Sequence, residues 1–292
     1  MCRHLRPALL ICALLAGPAG GSSVRATAAG GAPPQASALA ETLHRPLDQI
    51  LDTNVRDGLV YYRALKSERG RLDRYLVSLN VAAAVYQAWP REEQMAFWVN
   101  AYNAFVLQTV IDHYPIRGTS AKYPASSIRQ IPGAFETARH RAAGQSVTLD
   151  EIEKTILPAF KDPRLQLALG RGAVGGGRLH SEAYTGGRIN AQLDTIQKEF
   201  VSERTMLIVD RPAATVSLTP IVSWHEAEFV AAYDKGPLGP FSQRSPIERA
   251  IAAFITPNLL PLEKELLQKN QFAVVFHPFD WRLNDLTGGR PD

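Results

Sequence analysis

The stretch from Phe97 to His113, FWVNAYNAFVLQTVIDH, limits what this chain can fold into more than any other. On a helix, Trp98, Tyr102, Phe105 and Thr109 share one face, Val99, Val106 and Val110 a second, and Leu107 and Ile111 a third. A helix with so little polar surface belongs inside a core. Pro90 suits a first helical position, Glu92 and Glu93 meet the positive first turn, and the helix must end before Pro115. At about 1.5 Å per residue it crosses roughly 35 Å, the width of a domain. The expected fold class is therefore α+β: a single mixed domain with several helices around a central buried helix and a small, mostly antiparallel sheet.

The flanking sequence supplies the other elements. Leu39, Leu43, Leu47, Ile50 and Leu51 recur at helical spacing, as do Leu72, Tyr75, Leu76 and Leu79, and Leu59–Tyr62 after Asp57-Gly58 reads as a short strand. Residues 114–145, rich in Pro, Gly, Ser and basic residues, read as a long ordered loop or lid. Thr148 with Glu151 is a capping box opening a helix that Pro158 stops, and Leu165–Leu169 reads as a buried strand. Ile189, Leu193, Ile196 and Phe200 mark an amphipathic helix; Met206–Val209 and Thr215–Leu218 a hairpin; Phe272–Phe276 a last strand. Ser223 with Glu226, and Ser245 with Glu248, are further capping boxes.

The first residues carry Arg3 and Arg6, an apolar run from Ala8 to Ala16 and the small triplet Ala26-Thr27-Ala28, the order of parts in a secretory signal. The predicted organisation is a signal peptide over residues 1–28, an Ala/Gly/Pro leader over 29–37 and one globular domain over 38–292, in a periplasmic or secreted protein without a stable membrane anchor. Cleavage after Ala28 removes Cys2 and Cys12, the only two cysteines, and with them disulfides, thiolate metal sites and a cysteine nucleophile. It also removes three arginines. The remaining 29 Lys and Arg against 28 Asp and Glu leave a formal charge of +1, so nucleic acid is not an expected partner.

FWVNAYNAFVLQTVIDHYP, VTLDEIEKTIL, DPRLQLAL, SEAYTGGRINAQLD, TPIVSWHEAEF and FDWRLND occur in an order that resembles the domain of unknown function 547 family, from about Leu43 to Asn284. The resemblance implies an exported bacterial protein and carries little biochemistry. In the family pattern a strand of the form HFAL runs into a turn of the form CASxGCP before the EAY motif. Counting back from Glu182-Ala183-Tyr184, the family's His falls on Gln166 and its two Cys on Arg171 and Gly176. A thiolate chemistry in relatives would be lost here; equally, those cysteines would be structural or metal-binding in relatives, and only that feature absent.

The candidate cleft residues are accordingly Asn100, Asn103, Gln166, Arg171, Gly176, Glu182 and Tyr184, with no catalytic residue assigned. Asn100 and Asn103 are amides on an apolar helix, which either fix a neighbouring loop's backbone or present donors to a substrate carbonyl. Asp280 either pins the tail or orients a site residue. Gly170–Gly175 fits G-x-G-x-x-G with Asp194 beyond it, but Gly175-Gly176-Gly177 cannot open the helix that a pyrophosphate needs, so no nucleotide and no cofactor is expected. His113, His140, His180, His225 and His277 show no metal spacing; only His225 has carboxylates close by, Glu226 and Glu228. Ser181 between His180 and Glu182 is a weak triad candidate, because triads assemble from distant segments. Two functions stay open: a non-catalytic binding or interaction module for a protein, peptide or small-molecule ligand, and a hydrolase or acyl-transfer enzyme using a hydroxyl, carboxylate or His in the same cleft.

Overall fold

Arg91–His113 is one continuous helix, with Pro90 just before its first turn and Tyr114-Pro115 just after its last. Seventeen of its residues are buried, so it is core on every side. The computed structural model describes residues 34–237 and 239–287, and these belong to one compact unit. The predicted signal segment and both cysteines lie outside the described residues, as does the leader up to Pro33. Pro34–Ser37, expected in that leader, lie in a helix, Pro34–Asn54.

Helices Pro34–Asn54, Gly70–Ser78 and Ile189–Ser202 pack on the central helix. Between the first two, His44 Nδ1 lies 2.8 Å from the Tyr75 hydroxyl in a fully buried contact beside Phe97. The strands form three small sheets. Two are antiparallel hairpins, Val55–Arg56 with Leu59–Val60 and His140–Ala142 with Gln145–Val147. The third joins the predicted hairpin, Leu207–Asp210 with Thr215–Leu218, to Ala273–Phe276, which runs parallel to Thr215–Leu218 with Val216 opposite Val274. The long connection after the central helix is ordered: Ile128, Ile131 and Phe135 are buried, and the Gln130 amide donates to the Ser120 and Tyr123 carbonyls.

Three local readings are corrected. Leu165–Leu169 is buried but is no strand; Arg164–Leu167 is a single helical turn. A short apolar run has no periodicity to separate the two. Ser223 caps nothing, because Pro220 precedes a turn at Ile221–Trp224 and the Ser223 hydroxyl donates back to the Pro220 carbonyl. The Thr148 capping box forms, but Leu149–Glu151 leads into a π-helical turn, Ile152–Ile156, and Pro158 sits inside the 3-10 turn Leu157–Phe160 that follows.

The last described residues are tied back to the first hairpin. Tyr62 donates to Asn284 Oδ1 at 2.7 Å, Asn284 Nδ2 to the Gly58 carbonyl at 2.9 Å, and Leu286 N–H to the Val60 carbonyl at 3.0 Å. The Tyr114 hydroxyl, just past the central helix, donates to Asp285 at 2.8 Å.

Candidate functional site

The π-helical turn Ile152–Ile156 delivers a carboxylate, Glu153, into the interior, where its side chain is 8% exposed. π turns inside helices occur disproportionately at functional sites. Four groups donate to this one carboxylate: Arg171 Nη2 at 2.8 Å, Arg171 Nε at 3.2 Å, His225 Nε2 at 3.3 Å, and the Tyr102 hydroxyl of the central helix at 2.9 Å. Burial alone would raise the Glu153 pKa, but the Arg171 guanidinium and the His225 contact outweigh it and hold the group ionised, below the usual carboxylate range. The same carboxylate, after the effect of burial, pushes the Tyr102 phenol further up, so Tyr102 stays a donor.

Arg171 completes the charge pair from an uncommon backbone. Its φ is +52°, in the left-handed region, which costs a non-glycine residue on the order of 1 kcal/mol. Its guanidinium spans Glu153 and the carbonyls of Gln166 and Leu169, at 2.9 and 3.1 Å, and those bonds hold the turn. On the other side of the pair, His225 Nδ1 contacts Glu228 Oε1 at 2.7 Å. Both ring nitrogens therefore face carboxylates, an arrangement only the imidazolium satisfies. Burial lowers the His225 pKa, the two hydrogen bonds raise it more, and the net shift is upward. Gln166 Nε2 bridges the Glu153 carbonyl and Glu228, while its Oε1 is buried without a partner.

Above this cluster opens a cavity of about 470 Å³, floored by Glu153, Arg171, His225 and Glu228 and walled by Phe135, Trp224 and Trp281. Trp224 is 46% exposed and is backed by Phe279 and Trp281, with ring centroids 5.0 and 6.3 Å away. Arg129 lies between Phe135 and Trp281, its guanidinium 4.2 and 4.7 Å from their ring centres. Lys154 pairs with Asp150 at the rim.

The seven residues expected to share one cleft divide among several places. Arg171 stands at this floor, and Gln166 is buried beneath it, bonded to Arg171, Glu153 and Glu228. Asn100 and Asn103 make the structural contacts: Asn100 exchanges hydrogen bonds with the Tyr184 backbone, and Asn103 donates to the Ala168 carbonyl and accepts from Gly170 N–H. Tyr184 is buried behind Asn100. Glu182 pairs with Arg188 and Gln192 in an open groove that also holds the exposed Ser181. Gly176 faces a second cavity, about 160 Å³, together with His180 and Glu199. The glycine turn thus contributes Arg171 to one cavity and Ala173, Val174, Gly176 and Gly177 to the other. No helix follows it directly, and Asp194 pairs with Arg164 rather than approaching the glycines. Asp280 pairs with Arg282, and its carbonyl accepts from Gly175 N–H, so it pins the turn.

Gly176 leaves no space for a side chain. A Cβ there would lie 2.1 Å from the Gly170 carbonyl oxygen, and one at Gly177 1.8 Å from that of Leu167. Gly176→Ala is expected to cost about 1–3 kcal/mol through forced backbone movement. Chemical denaturation checks it; a variant as stable as the parent would show that the turn yields freely.

Sequence reasoning missed Glu153, Trp224, Trp281 and Arg129, and weighed His225, with Glu228 close by, only as a metal ligand. One signal was available. Glu153 lies four residues after Leu149 on the apolar stripe of its segment, where a carboxylate must meet a buried partner.

Residues 86–201 match the family model described as Protein of unknown function, DUF547. The matched segment contains the central helix, Glu153, Gln166 and Arg171; His225, Glu228 and both exposed-cavity tryptophans lie beyond it. No curated protein and no solved structure matches the chain.

Proposed function

From a chain whose residues 86–201 match the family model of DUF547 proteins of unknown function, we propose an exported, non-catalytic binding module whose ligand occupies the cavity over Glu153, Arg171 and His225. One observation carries this reading: His225 has both ring nitrogens engaged by carboxylates, so neither is left to take a proton from a nucleophile. The surroundings agree with it. Among the described residues, none of the side chains lining that cavity bears a hydroxyl or a thiol. Glu153, held as an anion by Arg171, is no proton donor. The asparagine amides that would have formed an oxyanion hole are bonded to backbone. Cavities of about 300–1,000 Å³ with aromatic walls and a few placed polar groups are the usual form of small-ligand sites.

The acyl-transfer alternative has its best geometry elsewhere, at His180, whose Nε2 lies 2.9 Å from Glu199 Oε2 beside the smaller cavity. Thr205 is the one hydroxyl-bearing side chain along that wall among the described residues.

Two measurements test the proposal. Chromogenic esters, peptide anilides and glycosides are expected to turn over no faster with the parent protein than with His225→Gln or His180→Gln; a rate that falls at least a hundredfold in either variant reinstates the enzyme. For export, protein recovered from the periplasm or medium of a bacterial host is expected to begin near Ala29, and recovery only from the cytoplasm with residues 1–28 intact removes that part.

A further inference from the structure

We infer that the larger cavity takes a neutral saccharide ring, which stacks on Trp224 and hydrogen-bonds through its hydroxyls to Glu228 and Arg129. The inference rests on the binding reading above and adds the class of ligand.

Charge eliminates most alternatives. Every cation around the cavity already has an anion: Arg171 with Glu153 at 2.8 Å, His225 with Glu228 at 2.7 Å, Lys154 with Asp150 and Arg129 with Glu136, each at 2.5 Å. A phosphate or carboxylate ligand would find no uncompensated positive charge and would face three carboxylates, Asp150, Glu153 and Glu228. An external ammonium would seek the aromatic faces, but Arg129 occupies the space between Phe135 and Trp281, so that cage is filled from within. A wholly apolar ligand would strip water from Glu228 and Lys154 and return no hydrogen bond, at a cost of the order of several kcal/mol.

What remains is an uncharged molecule with one apolar face and a polar edge. A pyranose ring has both: a face of C–H bonds that lies flat on an indole, and hydroxyls in the ring plane that a carboxylate accepts and a guanidinium donates to. Trp224 is suited to the first task, since nearly half its surface is open while Phe279 and Trp281 fix its orientation from behind. Glu228 suits the second. Arg129 lines the same wall with its side chain 23% exposed and adds a guanidinium donor.

Maltotriose, cellotriose and chitotriose are titrated into the full chain while its tryptophan emission is followed, with adenosine and betaine as comparators. Trp89 and Trp98 are 5% and 1% exposed, so a response reports chiefly on Trp224 and Trp281. At least one sugar is expected to give a saturable change that high salt leaves intact, and Trp224→Ala is expected to weaken its Kd at least tenfold. Circular dichroism should be that of the parent and melting should stay cooperative, which separates lost binding from a lost fold. Glu228→Gln, still able to accept a hydroxyl, should weaken binding less than Glu228→Ala. Silence from all three sugars overturns the inference. A Trp224-dependent response to adenosine or betaine alone overturns it too, yet leaves the binding module standing, whereas His225-dependent hydrolysis of the sugars removes both.

Discussion

Replacing Arg171 with Ala is expected to lower the free energy of unfolding by about 3–5 kcal/mol, the usual consequence of stranding a buried charge. The Arg171 and Glu153 side chains are 1% and 8% exposed, so water cannot take the guanidinium's place beside the carboxylate. The substitution also releases the Gln166 and Leu169 carbonyls and leaves a left-handed residue without the bonds that hold it there. A second variant separates charge from packing. Arg171→Met with Glu153→Gln removes both charges, keeps an acceptor for Tyr102 and fills most of the volume, so it should recover at least about half of the loss, as coupled neighbours do in a double-mutant cycle. Urea titrations of the four proteins decide the matter. An Arg171→Ala loss below about 1 kcal/mol would mean that the pair behaves like one on the surface.

Acid is expected to destabilise the fold well above the range where carboxylates titrate. His44 is fully buried, and burial lowers its pKa from 6.5 to about 3. The unfolded chain therefore takes up a proton below pH 6.5 that the folded chain refuses. The stability this group contributes is present above pH 6.5 and is lost by about 1.4 kcal/mol per pH unit as the pH falls toward 3. His140, lowered to about 4 by burial despite Asp112, acts in the same direction. His225 has the opposite sign. Its folded pKa is raised, so its contribution is complete below pH 6.5 and is lost as the pH climbs through the folded value. Stability should thus peak near pH 6.5 and fall on both sides. His44→Gln should flatten the limb between pH 6.5 and 4.5, and His225→Gln the alkaline one. A parent protein equally stable at pH 6.5 and 4.5 would contradict the acid limb.

The central helix was legible because two prolines bracket it and its surface is apolar all round, so tertiary context had nothing to override. The same clarity applied to Ile189–Ser202, to the Leu207–Leu218 hairpin and to the Ser245 capping box that opens Pro246–Ile255. Legibility failed where a segment is too short to have a period, as at Leu165–Leu169, or where the helix type changes midway, as at Ile152. The candidate site was half visible. The resemblance drew attention to Gln166 and Arg171; Arg171 stands at the floor of the larger cavity and Gln166 is buried beneath it. It said nothing of their partners, since Glu153, His225 and Trp281 come from segments 72 and 56 residues apart whose meeting depends on the tertiary path. Asn100 and Asn103 illustrate the reverse case: their chemistry was read correctly as amides in want of partners, and the backbone supplied them.

The knot of hydrogen bonds joining Asn284, Asp285 and Leu286 to Gly58, Val60 and Tyr62 sets an order of events. Asn284 leaves the ribosome 222 residues after Tyr62, just past the first hairpin, and Asp285 leaves it 171 residues after Tyr114 at the far end of the apolar helix. Until they arrive, the early hairpin lacks its latch and can close only once most of the described chain has been made.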